Sequence, residues 1–163
     1  MSARYNALFL CTGNSARSIM AEALLNHKGG DRFSAYSAGS HPSAMVRPEA
    51  LKQLEAAHIS VAGLRSKRWD EFARPGAPPM HFVFTVCDNA AKEACPLWPG
   101  QPVTAHWGVA DPAAVTGSAV EIEQAFHHAF LILDRRISFF LSLPLQALDR
   151  LALKKEVNRI GRE

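Results

Sequence analysis

Cys11-Thr12-Gly13-Asn14-Ser15-Ala16-Arg17-Ser18 joins an apolar, strand-like run, Ala7 to Leu10, to a helix-like run, Ser18 to His27. A loop that enters a helix turns several backbone N–H groups toward one point. The helix dipole adds partial positive charge there. Arg17 supplies a planar fork of donors that fits two oxygens of an oxyanion. Gly13 allows a sharp turn and Asn14 tolerates left-handed dihedrals. The stretch therefore reads as a cradle for a tetrahedral oxyanion, built from Thr12, Gly13, Asn14, Ser15, Ala16, Arg17 and Ser18, with Cys11 as the nucleophile. The same field is expected to hold Cys11 well below the ordinary thiol range of about 8.5. Ser18 is expected to hydrogen-bond the thiolate or to cap the helix. A buried, inert cysteine at a strand end is the plain alternative. The joint occurrence of strand, cysteine, Gly-Asn turn, Arg-Ser and helix outweighs it.

Working outward, short apolar runs alternate with longer helical patterns, which predicts a parallel α/β sheet. Strands are predicted at 6–10, 33–37, 81–86 and 102–106. Val83, Phe84 and Val86 form a near-continuous apolar run, as a strand covered on both faces requires. Helices are predicted at 18–27, 47–57, 89–94 and 118–141. In the last, Ile122, Phe126, Ala129, Leu133, Ile137 and Phe140 keep a three-to-four spacing. Residues 144–158 also read as helical, an extension beyond the α/β unit. Residues 75–79, Pro-Gly-Ala-Pro-Pro, are a rigid connection rather than a domain boundary, and the whole of 1–163 is expected to be one domain.

The formal net charge is +3, and residues 150–163 hold five Lys/Arg against two Asp/Glu, so that segment matches the whole excess. The remainder is near neutral, which argues against a broad nucleic-acid surface. The N-terminal apolar run is too short for a secretory signal. The run 137–148 is shorter than a membrane span and contains Pro144. A cytoplasmic protein without a membrane or nucleic-acid partner is expected. A monomer is expected, with 144–163 as the surface for any dimer. Three cysteines suit no secreted disulfide framework. Cys87, Cys95 and His106 match no compact zinc spacing, so no metal or cofactor is expected.

Cys11, Ser37, Cys87 and His106 lie at or just past predicted strand ends, the edge where open α/β sheets bind ligands. Expelling an oxygen from the central atom of a tetrahedral oxyanion calls for a general acid opposite the sulfur. Asp111, in a loop and followed by Pro112, is the best candidate; from spacing alone an ordinary Asp-Pro turn is equally good.

The chain resembles the low-molecular-weight tyrosine phosphatase fold, and more closely the arsenate reductases built on it. The resemblance is carried by CTGNSARSIMAEALLN from Cys11, by Tyr36-Ser37-Ala38-Gly39, Val86-Cys87-Asp88 and Ala94-Cys95-Pro96, and by His106-Trp107-Gly108-Val109-Ala110-Asp111-Pro112. It spans roughly residues 5 to 141. It implies a three-layer α/β sandwich on a four-stranded parallel sheet of order 2-1-3-4, with a C-terminal helical extension. It also implies that Asp111 is the acid. The fold's tyrosine phosphatases usually carry an aromatic residue after this Asp-Pro, where Ala113 stands, and a small residue suits an inorganic oxyanion better. In the resembled reductases three cysteines act in sequence, and those roles fall on Cys11, Cys87 and Cys95: attack on arsenate, a Cys11–Cys87 disulfide, then a Cys87–Cys95 disulfide reduced by thioredoxin or glutaredoxin. Such reductases commonly have six residues between the two later cysteines; here there are seven. Eight positions along an intact helix span roughly 12 Å, beyond the roughly 7 Å Cα limit of a disulfide, so 88–94 is expected to unwind on oxidation. Asn14, Glu22 and Ser37 fit the polar groups that brace the loop. In some reductases they bind potassium together with an Asp; the matching position here is Lys67, whose ammonium would satisfy the same oxygens, although composition alone favours an ordinary surface lysine. The alternative activity is phosphoester hydrolysis through a phosphocysteine. A third reading, a non-catalytic anion-binding module, needs neither thiolate nor acid and fits Cys11, Arg17 and Asp111 poorly.

Overall fold

The computed structural model describes residues 4–87, 98 and 101–163. Four strands, β1 (Tyr5–Leu10), β2 (Phe33–Ala38), β3 (Phe82–Thr85) and β4 (Val103–His106), form one sheet of order β2-β1-β3-β4. Every pairing is parallel. The helices are α1 (Arg17–Gly29), α2 (Pro48–Ala56), α3 (Ala119–Leu141) and α4 (Arg150–Ile160). The expected sheet order and α/β architecture are borne out.

β1 explains why the sheet is parallel and central. Its side chains alternate between two cores, Ala7 and Phe9 on one face and Leu8 and Leu10 on the other, all fully buried. A strand covered on both faces needs a helix or loop layer on each. The larger core is aromatic: Phe84 lies 4.1 Å from Trp107 and 5.2 Å from Phe9 between ring centroids, and Phe140 of α3 stands edge-on to Phe82 and Phe84. The smaller core sets Leu8, Leu10 and Val83 against Trp69, Phe72 and Met80.

α3 begins with a capping box, Ser118 and Glu121 each closing on the other's backbone N–H. The C-terminal segment departs from expectation. The helix begins at Arg150, not at Pro144, because the Asp149 side chain caps it by accepting from the Ala152 N–H at 2.8 Å. Residues 144–147 instead form a turn closed by Ala147 N–H to Pro144 O. The predicted helix at 89–94 lies outside the described residues. No helix among the described residues is long and apolar enough to cross a membrane.

Candidate active site

Because β1 pairs with β3, the loops leaving their carboxyl ends are neighbours. Cys11 and Cys87 meet there, both 4% exposed, close enough for each thiol to act on the other. The Thr12 N–H also donates to Cys87 Sγ, at 3.2 Å, with the Thr12 hydroxyl 3.5 Å away. These residues open onto a cavity of about 810 Å³ whose walls include Gly13, Ser15, Ala16, Arg17, Val109 and Asp111. No residue of the described chain caps α1 with a side chain, so the first-turn N–H groups beginning at Arg17 are left for a ligand or solvent.

The loop's shape comes from Asn14 rather than from Gly13. Asn14 takes the left-handed conformation, φ 45°, and is fully buried. Its amide donates to Ser18 Oγ at 2.8 Å and to Ser37 Oγ at 3.0 Å, and its carbonyl accepts the Lys67 N–H at 2.8 Å. Gly13 does not take a left-handed φ, and a Cβ there would meet only Ser15 Oγ, at 3.6 Å. Ser18 is thus tied to Asn14 and does not cap α1. The glycine the turn does require is Gly39: a Cβ there would come within 2.5 Å of Thr12 O and 2.7 Å of Cys11 O.

Around Asn14 lies a buried polar knot. Ser37 donates to Glu22 Oε1 at 2.6 Å. Lys67 Nζ donates to the carbonyls of Ser37 and Arg65, both at 2.8 Å, and stands 3.7 Å from Glu22 Oε1. Burial pushes the Glu22 carboxyl up, opposed by Lys67, and pushes the Lys67 ammonium down, opposed by Glu22. A potassium ion does not fit this donor set, since an ammonium already meets the oxygens that would hold it.

The expected low Cys11 titration is corrected. The hydrogen bond shared with Cys87 is the first cause holding the Cys11 thiol well above its ordinary range, and burial is the second; Arg17 and the Gly13 N–H pull the other way. A neighbouring thiol opposes ionisation of Cys11, and local sequence signals carry only the loop's field. Arg17 also differs from expectation. One edge of its fork is occupied, Nη1 donating to Val109 O at 2.8 Å and Nη2 lying 3.6 Å from Asp111 Oδ2. This brings Asp111 to the cavity, where its Oδ1 accepts from the Ala113 N–H at 3.0 Å. Cys11, Cys87, Arg17 and Asp111 are therefore assembled at one place; Cys95 lies outside the described residues.

One residue beside the site escaped the sequence reading. Arg136, on the buried face of α3, donates to Gly108 O at 3.0 Å. The signal was available: position 136 falls within the apolar stripe of Leu133, Ile137 and Phe140.

A cysteine and an arginine six positions apart in a strand–loop–helix on a four-stranded parallel sheet define an oxyanion-binding cysteine site of the phosphatase type. The chain belongs to the low molecular weight phosphotyrosine protein phosphatase family, whose match spans residues 6–157. The match therefore runs on into α4, beyond the limit near residue 141 expected from the motifs. The chain is similar to an arsenate reductase of Halalkalibacterium halodurans, 35% identical over 132 residues, 81% of this chain and 91% of that one. Its fold is similar to that of an arsenate reductase solved in the phosphate binding state, at a TM-score of 0.65 and 23% identity, covering 82% of this chain and 94% of the other. It is also similar to a thioredoxin-dependent arsenate reductase of Corynebacterium glutamicum, at a TM-score of 0.59 and 26% identity, covering 87% of this chain and 65% of that one.

Proposed function

We propose that the protein reduces arsenate to arsenite. The observation that carries this reading is the meeting of Cys11 and Cys87 at the wall of one cavity, beside the oxyanion loop. Phosphoester hydrolysis needs one cysteine; a second, buried against the first, is what a two-electron reduction requires. The similarity to arsenate reductases supports the same choice of substrate. So does Ala113, which offers no aromatic surface to a phenolic phosphoester.

Arsenate binds among the loop N–H groups and Arg17. Cys11 sulfur attacks arsenic; an S–As bond forms and an As–O bond breaks. Asp111 protonates the departing oxygen, and in sum the Cys11 thiol proton and the departing hydroxide make one water. Cys87 sulfur then attacks Cys11 sulfur. The S–S bond forms, the S–As bond breaks, and its electron pair stays on arsenic, which passes from As(V) to As(III). The Thr12 N–H, donating to Cys87 Sγ, holds that sulfur in place for this attack. Cys95 next displaces Cys11 from Cys87, and an external dithiol of the thioredoxin or glutaredoxin class reduces the Cys87–Cys95 pair.

The test is arsenate turnover with a thioredoxin or glutaredoxin system. Cys11→Ser, Cys87→Ser and Cys95→Ser should each abolish multiple turnover. Full activity of Cys87→Ser and Cys95→Ser would transfer the reading to phosphoester hydrolysis.

A further inference from the structure

The loop between β4 and Pro112 is held from two sides. Toward the cavity, Arg17 donates to Val109 O; away from it, Arg136 Nη1 donates to Gly108 O at 3.0 Å. The Trp107 and Val109 N–H groups donate to Thr85 O and Val86 O, at 2.7 and 2.9 Å, continuing the β3 pairing. The carbonyls of Gly108 and Val109, three and two residues before Asp111, are thus each fixed by a guanidinium.

Arg136 is a costly way to do this. It is 7% exposed, no side-chain carboxylate pairs with it among the described residues, and its Nε has no hydrogen-bond partner there. A buried cation with an unsatisfied donor is disfavoured against an apolar side chain of similar size. Its remaining contact, Nη2 to Glu163 O at 3.3 Å, ties the loop to the segment after α4. α4 and that segment are close-packed at the end of β4: the Trp107 indole N–H donates to Val157 O at 2.8 Å, and Gly161 lies so near His106 O that a Cβ would overlap it.

We propose that Arg136 is a positioning residue for the acid step, fixing the Gly108 carbonyl and with it the loop that aims Asp111 into the cavity. The proposal rests on the reading of Asp111 as the acid. Arg136 touches neither sulfur nor oxyanion; it acts through the loop, which a small displacement would spoil. A misplacement on the order of 1 Å costs up to about 100-fold in rate.

The experiment is a double-mutant cycle on a single turnover, in which reduced full-length protein is mixed with excess arsenate and the loss of free thiols is followed. Arg136→Met keeps the length of the side chain and removes the donors. It should slow the turnover about 10- to 100-fold, while Cys11 alkylation by iodoacetamide changes less than about twofold, the spread expected of independent sites. In an Asp111→Asn background the same change should have almost no further effect, because the acid it aims is already gone. Equal losses in both backgrounds would make Arg136 merely structural, and no loss in the wild-type background would also overturn the proposal. Should Arg136→Met fail to fold, Arg136→Lys, which keeps a cation but not the planar fork, carries the same cycle with a smaller loss. If Asp111→Asn alone leaves the rate intact, the acid reading fails first, and the role assigned to Arg136 falls with it.

Discussion

Cys11 and Cys87 are each ordinary buried cysteines in isolation; what distinguishes them is that each is the other's neighbour. Their shared hydrogen bond is the main reason the Cys11 thiol sits above its ordinary range. Removing the second sulfur should therefore unmask the loop's field. In Cys87→Ala, the pH midpoint for Cys11 alkylation by iodoacetamide should move to lower pH than in the wild type. Burial still opposes ionisation, but Arg17 and the Gly13 N–H are no longer outweighed by the sulfur pair. An unchanged midpoint, or one moved upward, would show that the contact does not govern Cys11. In sequence terms, the loop and its cysteine were legible because strand, turn and helix signals are local. The pairing of the sulfurs was foreseen from the resemblance, as a Cys11–Cys87 disulfide, and its effect on ionisation was missed because it depends on side-chain contact.

At the scale of elements, the strands were the most legible parts, since burial on both faces leaves an unbroken apolar run such as Leu8-Phe9-Leu10. The 144–149 segment was misread: its leucines kept a helical rhythm, but Asp149 is a strong cap and sets the start of α4. The connection of 65–69 to the rest was less legible still. Gly39 and Arg68 form a parallel bridge, with Gly39 N–H donating to Lys67 O and Trp69 N–H to Gly39 O. This bridge carries Lys67 to the end of β2, where its Nζ meets Ser37 O and Glu22. With the ammonium already on these oxygens, adding potassium chloride at constant ionic strength should leave kcat/KM for arsenate unchanged. A several-fold rise would contradict this assignment of Lys67.

For the whole molecule, the site exists because parallel strand ends, the start of α1 and the loop before Pro112 face one cavity. The sequence could place each part beyond a strand end, and the common edge followed from the sheet rule. It could not show that α3 and the segment after α4 reach the same loop, through Arg136 and Trp107, because a buried arginine in an apolar stripe does not reveal its acceptor. This assembly turns a phosphatase-type cradle into a two-thiol site, and the paired sulfurs are its central feature. Their most direct test is to mix reduced Cys95→Ser protein with arsenate, quench with an alkylating agent, and map the cross-linked peptides by mass spectrometry. The account predicts a Cys11–Cys87 disulfide formed in step with arsenite, one for one, and none with phosphate. Arsenite released without that disulfide would contradict it.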